Sequence, residues 1–261
     1  LLVKDVKMIF FDIDGTLIDM EKKQISERML ETLKALKEQN ILLCLATGRS
    51  PIALPQFEDI DFDAYLTFNG SYCFNQTESI HKHPIPTSDI KQIIENAQTL
   101  NRPVAIATKD KTIANGKDED LIDYFSFAHQ EVIVSEAFDA TIENESIYQL
   151  MLGSTKEHYD VIMNNTTDSK ITAWWDRAVD IIPASGGKGA GIRKILDYYG
   201  LDKSQAIAFG DGNNDIEMLE AVGFGLAMEN GSDQLKAVAD EVIGHVSEDG
   251  IYHFCVEHEL I

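Results

Sequence analysis

Residues 6–13, 41–46, 64–68 and 206–209 are short runs made almost entirely of apolar residues, many of them β-branched or aromatic. Runs of that length and character predict strands buried on both faces. Between the first two, residues 26–40 change to helical spacing. Met29, Leu30, Leu33 and Leu36 line one face, Ser26 can cap it, Glu27 suits the first turn and Asn40 the C-terminal end. Residues 188–199 and 214–222 predict two further helices, closed by Gly200 and Gly223, and residues 224–228 and 241–243 two short strands. Strand alternating with helix argues for a parallel sheet, since parallel neighbours need a crossover between them.

The middle of the chain reads differently. Residues 88–100 predict a helix. Residues 104–108 and 112–115 predict a hairpin around Lys109-Asp110-Lys111, and residues 118–127 are compatible with a helix. Residues 147–152, 171–175 and 179–182 are strand-like and residues 155–165 helix-like. Adjacent on a strand, Trp174 and Trp175 are expected to face opposite sides, one of them into the core and the other into packing or, alternatively, toward a substrate. This order of elements predicts a separate α+β unit over residues 84–183, joined through residues 81–86 and 183–187, both rich in Pro or Gly. The expected division is therefore 1–83, 84–183 and 184–261, with the parallel sheet split between the outer two.

Charge narrows the partners. The chain has 261 residues, 44 acidic against 22 basic, for a formal net charge of -22. No basic stripe is available to neutralise phosphates, which argues against nucleic-acid binding and against docking on anionic membranes. No apolar run reaches the roughly 20 residues of a membrane helix, and no signal peptide is visible. The chain starts at Leu1 rather than Met, so a few residues are expected to precede it. Cys44, Cys73 and Cys255 are odd in number and lack C-x-x-C spacing, so they are expected to be reduced packing residues of a cytoplasmic protein.

The chemistry sits where strands should end. Asp12 and Asp14 follow the first apolar run, Thr47 the second, and Asp211 and Asp215 a later one, while Lys188 opens a helix. In open parallel sheets ligands bind beyond the carboxyl ends of the strands. Crowded carboxylates repel unless a cation lies between them, so the two acidic clusters point to a divalent metal shared by distant segments and to an anionic substrate. Together these groups supply a nucleophile, an acid/base, phosphate donors and a metal, the needs of phosphoryl transfer. Simpler motifs fail. Gly186-Gly187-Lys188-Gly189 lacks the earlier Gly of a P-loop, where Ile182 stands, and the following Ser or Thr, where Gly189 stands. The EF-hand glycine position holds Leu17 or Ile216. No G-x-G-x-x-G follows the first strand.

Asp12-Ile13-Asp14-Gly15-Thr16-Leu17, Ala46-Thr47-Gly48-Arg49, Lys188-Gly189 and Gly210-Asp211-Gly212-Asn213-Asn214-Asp215 resemble the four ordered motifs of the haloacid dehalogenase-like hydrolase superfamily. The large insert after the Thr motif, Gly225-Leu226-Ala227-Met228-Glu229-Asn230 and Glu248-Asp249-Gly250 resemble its Cof-like phosphatase branch. The resemblance implies an α/β fold, a doubly wound Rossmann-like parallel core with an inserted α+β cap domain. It implies Asp12 as nucleophile and Asp14 as acid/base. Thr47 and Lys188 become phosphate binders with catalytic roles. Mg²⁺ would be held by Asp12, the Asp14 carbonyl and Asp211. Asp215 either serves the metal through water, orients Lys188, or is a plain helix N-terminal acid. Asn214 either contacts phosphate or metal, or caps its helix. Gly48, Arg49, Asn69 and Gly70 fall at substrate-side positions, with a structural ion pair the alternative for Arg49.

The implied activity is Mg²⁺-dependent hydrolysis of a small phosphomonoester through an aspartyl-phosphate. Sugar phosphates are the first expectation, flavin or pyridoxal phosphates the second. The rivals are a phosphosugar mutase and a catalytically silent phosphometabolite-binding protein. Oligomeric state is unreadable from the sequence.

Overall fold

The computed structural model describes residues 5–57 and 60–261. The first part of the chain lays down β1 (Met8–Phe11), α1 (Glu27–Glu38), β2 (Leu42–Ala46), β3 (Ala64–Thr67), β4 (Tyr72–Phe74) and β5 (Ser79–Lys82). The insert follows with α2 (Thr87–Thr99), β6 (Ala105–Ala107), β7 (Thr112–Ala114), α3 (Glu119–Ser126), α4 (Phe138–Asn144), β8 (Gln149–Gly153), α5 (Tyr159–Ile162), β9 (Ser169–Thr172) and β10 (Ala178–Pro183). The chain then returns with α6 (Lys188–Tyr199), β11 (Ala206–Gly210), α7 (Ile216–Glu220), β12 (Phe224–Met228), α8 (Asp233–Val238), β13 (Glu241–Ile243) and α9 (Gly250–Glu257).

Two sheets result. The core sheet runs β13-β12-β11-β1-β2-β3-β4-β5, parallel through β3 and antiparallel over β4 and β5. The insert carries an antiparallel sheet, β7-β6-β8-β10-β9. The strands at the centre of the core show why their sequences carry no alternation. Ile9, Phe11, Leu43, Leu45, Ile207 and Phe209 pack with Met29, Leu33 and Leu36 of α1 and Phe254 of α9. Met8, Phe10, Cys44, Ala206 and Ala208 pack on the opposite face with Ile192 and Ile195 of α6 and Met218 of α7. Each strand thus buries side chains both ways, and each large apolar side chain removed from water contributes about 2 kcal/mol. This is a doubly wound α/β core with an inserted α+β cap. All three cysteines are buried and unpaired. Among the described residues, no helix is long and apolar enough to cross a membrane.

Several boundaries differ from expectation. The first strand, Met8–Phe11, is shorter than residues 6–13 at both ends. The stretch expected to open a linker at His81 instead belongs to β5 through Lys82. The β4–β5 hairpin turns on Asn75, whose Oδ1 accepts the backbone N–H groups of Thr77 and Glu78, both at 2.9 Å. Residues 155–165 form a 3₁₀ turn and the short α5 rather than one helix. The strand expected over 171–175 ends at Thr172, so Trp174 and Trp175 lie in the bend before β10. Strand alternation therefore does not govern them, and both rings pack around Tyr124 and Phe127. Residues 214–222 begin in a 3₁₀ turn, and α7 starts only at Ile216.

Candidate active site

The strand order β11-β1-β2 sets the carboxyl ends of three neighbouring parallel strands side by side. Neighbouring strands lie about 4.8 Å apart, so the first residues past those ends are close in space. They are Asp211, Asp12 and Thr47. The Asp12 N–H donates to the Phe209 carbonyl at 3.0 Å, which carries the β1–β11 pairing one residue beyond the strand. Carboxylate oxygens of Asp12, Asp211 and Asp215 come within 4.8 Å of one another.

Lys188, the first residue of α6, reaches into this cluster with its side chain fully buried. Its Nζ donates to Asp12 Oδ1 at 2.7 Å and to Asp215 Oδ1 at 2.5 Å. The other Asp215 oxygen accepts the backbone N–H groups of Asp211 and Gly212, both at 3.0 Å. Both oxygens of Asp215 are therefore committed to holding Lys188 and shaping the Asp211 loop. Burial and the neighbouring Asp215 push the Asp12 carboxyl up to about 7, and Lys188 offsets only part of this. Asp211 is also pushed well above the ordinary carboxylate range by burial and by the charges of Asp12 and Asp215. Burial alone would lower the Lys188 pKa, but Asp12 and Asp215 more than reverse this and keep the ammonium charged. One buried ammonium is too little for three carboxylates. An oxygen-preferring divalent cation fits the remainder, because it relieves the repulsion that the two strand-end aspartates feel.

The loop after β1 is shaped to meet Asp211. The Thr16 hydroxyl donates to Asp211 Oδ1 at 3.3 Å. Asn230 donates to the Gly15 carbonyl at 2.7 Å. Gly15 has φ 89°, and a Cβ there would stand 2.1 Å from Asp211 Oδ2. Gly15→Ala is therefore expected to push Asp211 out of the cluster and to destabilise the fold by roughly 1–3 kcal/mol through backbone strain. Calorimetric titration with Mg²⁺ checks this. Affinity should fall at least about tenfold, and unchanged affinity would show that the close approach is not needed.

The other expected site residues are also gathered here. Asp14 and Arg49 form a two-pronged ion pair, Nη2 to Oδ1 at 2.5 Å and Nε to Oδ2 at 2.8 Å. Arg49 is thus held by Asp14 in this structure, while its Nη1 donates to the Ala53 carbonyl at 3.1 Å. Thr47 Oγ1 accepts the Arg49 N–H at 3.0 Å. Asn214 donates to Asn69 Oδ1 at 3.1 Å. Asp12, Asp14, Thr47, Gly48, Arg49, Asp211 and Asn214 all line one cavity of about 610 Å³ between core and insert.

Sequence reasoning did not name the insert's polar residues at this cavity, Asp180 and Gln149. Asp180 of β10 is buried, with Oδ1 accepting from the Tyr124 hydroxyl at 2.6 Å and Oδ2 from Asn69 Nδ2 at 2.9 Å. Burial pushes its carboxyl up to about 7, with the Tyr124 and Asn69 hydrogen bonds opposing. Gln149 of β8 donates to the Gly48 carbonyl at 3.0 Å and accepts from Asn69 Nδ2 at 3.1 Å. Lys170 of β9 pairs with Glu217 of α7 at 3.1 Å. The insert is thus seated on the core. The available signal was Asp180 itself, a lone carboxylate in an otherwise apolar run that a buried strand tolerates only if its hydrogen bonds are met.

Residues 9–255 match the family model for haloacid dehalogenase-like hydrolases. The chain is 31% identical to the putative phosphatase YkrA of Bacillus subtilis over 98% of this chain and 99% of that protein. It is 30% identical to the 5-amino-6-(5-phospho-D-ribitylamino)uracil phosphatase YitU of the same organism, over 96% of this chain and 97% of YitU. The solved structure of the subclass IIB sugar phosphatase BT4131 superposes with a TM-score of 0.89 at 28% identity, covering 98% of this chain and 100% of BT4131. Three of the four motifs lining one cavity, with Lys188 of the fourth bonded to Asp12 behind it, a seated α+β insert and these full-length likenesses agree: the chain belongs to the haloacid dehalogenase-like hydrolases, in their Cof-like branch, and is a phosphoric monoester hydrolase.

Proposed function

We propose that this phosphatase is Mg²⁺-dependent and hydrolyses small phosphomonoesters through an aspartyl-phosphate on Asp12. The observation that carries the reading is Asp12 at a strand end, within 4.8 Å of Asp211 and Asp215 and bonded to the buried Lys188. Asp12, the Asp14 carbonyl and Asp211 would hold the ion, with Asp215 orienting Lys188 and the Asp211 loop. When bound, the ion would cancel repulsion between Asp12 and the substrate phosphate.

The remaining chemistry follows from the protein's own groups. An Asp12 oxygen attacks phosphorus, the bond from phosphorus to the leaving oxygen breaks, and Asp14 gives that oxygen its proton, releasing an alcohol. Water then attacks the phosphorus of the aspartyl-phosphate while the Asp14 carboxylate takes a proton. The bond from phosphorus to Asp12 breaks, and inorganic phosphate leaves. Thr47 and Lys188 bind the phosphoryl oxygens, with Gly48 and Asn214 beside them. Both Asp14 oxygens accept from Arg49, so proton delivery requires one of these bonds to be released as substrate enters. Arg49 is placed to take a substrate oxygen in exchange. Residues 84–183 act as the cap, hinged on the core formed by 1–83 and 184–261, and closure limits water during the first step.

The substrate is a small phosphorylated metabolite, and its alcohol is the leaving group. Sugar phosphates are one class, in keeping with BT4131, and ring-bearing phosphates a second, in keeping with YitU. The test is phosphate release from a metabolite panel with Mg²⁺ and with a chelator, alongside thermal unfolding without substrate. Chelation is expected to cost at least about a hundredfold in rate, and Mg²⁺ at 100 times its Kd to stabilise the fold by about 2.7 kcal/mol. Full turnover in chelator would rule out the metal-dependent reading.

A further inference from the structure

Beyond the phosphate end, the cavity of about 610 Å³ opens into space that the leaving group must occupy. Its inner polar groups are already used on one another. Gln149 bonds to Gly48 and Asn69, and Asp180 to Asn69 and Tyr124. The Tyr124 oxygen also accepts from Trp174 Nε1 at 3.2 Å. At this inner wall a leaving group rich in hydroxyls has to exchange these bonds for its own, and such an exchange yields little net free energy.

The outer wall offers something else. Trp174 and Phe127 line it, with Ile52 from the core, 48% exposed, and Ile133 from the cap, 58% exposed. The rings brace one another. Phe127 sits edge-on to Trp174 at 5.1 Å and to Trp175 at 5.2 Å. Tyr124 stacks on Trp175 at 6.0 Å, and the Arg177 guanidinium lies over Trp175 at 4.9 Å. A held aromatic surface binds a flat partner without the cost of ordering it first.

We infer that the preferred substrates carry a planar aromatic or heteroaromatic ring that lies against Trp174 and Phe127, in place of a polyhydroxylated sugar. This rests on the phosphatase reading and assigns its leaving group. The test compares four monoesters of primary alcohols, so that intrinsic reactivity is matched. Pyridoxal 5′-phosphate and flavin mononucleotide carry planar heteroaromatic rings; glucose 6-phosphate and glycerol 3-phosphate do not. With the full chain and Mg²⁺, kcat/KM should favour the better ring substrate over both others by at least about tenfold. Trp174→Leu should cut the ratio of ring to glycerol substrate about tenfold, chiefly through KM, and Phe127→Leu should act in the same direction. Equal or higher kcat/KM for glucose 6-phosphate overturns the inference, as does a Trp174→Leu loss of the same factor on every substrate. Release from none of the four, with release from acetyl phosphate, overturns the ring assignment alone. No release from acetyl phosphate either would remove the phosphatase reading beneath it.

Discussion

Asp12→Asn is expected to lower turnover by at least about four orders of magnitude while leaving substrate affinity within a few-fold. The amide keeps the shape of the side chain, and its oxygen still accepts from Lys188, which stands 2.7 Å from Asp12 Oδ1. It cannot supply the anionic oxygen that attacks phosphorus. Removing one of three crowded carboxylates also takes away a buried charge, whose burial and nearness to Asp215 push the Asp12 carboxyl up to about 7. The variant should therefore stay folded, and its thermal midpoint should not fall. Rapid-quench measurement of phosphate release reads the chemistry, and equilibrium binding of substrate to the variant reads affinity. A near-native rate would remove Asp12 from the nucleophile's place. A lost rate with equally lost affinity would make Asp12 a binding group instead.

The grouping of Asp12, Thr47 and Asp211 was legible because strand ends were legible. A run of apolar residues followed at once by Asp, Thr or Asp locates three groups, and parallel pairing then brings them together without further information. Arg49 shows where this stops. Its motif position is plain in the sequence, but the choice between substrate and ion pair depends on Asp14, 35 residues away, and the structure shows the pair. The Asn69–Asp180 bond spans 111 residues. Nothing local marks it except the misfit of a carboxylate in an apolar strand. The β4–β5 hairpin was hidden for a different reason. Pro84 and Pro86 drew the boundary, whereas the turn that matters is made by the Asn75 side chain. In α9, Ile251, Phe254 and Cys255 have helical spacing and all join the core, but the element is only two turns long and begins after Asp249 in the left-handed region. A periodicity argument has little to work with over that length.

Conformation and chemistry meet at the insert's contacts with the core. Gln149 bonds to the carbonyl of Gly48, one residue from Thr47 and one from Arg49. Asn69 is shared by Gln149, Asp180 and Asn214. A cap that lifts would give up the Gln149 and Asp180 bonds together, while the Asn69–Asn214 bond, which lies within the core, can stay. On the proposed reading, a cap movement that encloses the ring would also seat Gln149 on the Gly48 carbonyl beside Thr47, so substrate selection by the aromatic wall would influence the catalytic step.

The second large effect is expected at Lys188. Lys188→Met keeps most of the stem volume and removes the charge from a side chain with no exposed surface. Asp12 and Asp215 are then left in the interior without their shared cation, at a cost of about 3–5 kcal/mol in the absence of metal. Part of that cost is escaped by proton uptake at Asp12, which already lies near 7 in the intact cluster. Urea unfolding in chelator measures the loss. Adding Asp12→Asn to Lys188→Met removes one orphaned charge, so the double variant should regain roughly 1–2 kcal/mol over the single one. That coupling separates an electrostatic cause from simple loss of packing, which Asp12→Asn could not repair. Turnover of Lys188→Met in saturating Mg²⁺ should fall by about 10²–10³-fold, the usual consequence of deleting a donor aimed at developing negative charge. Stability within about 0.5 kcal/mol of the wild type, or a double variant no more stable than the single one, would mean that the ammonium does not hold these carboxylates together.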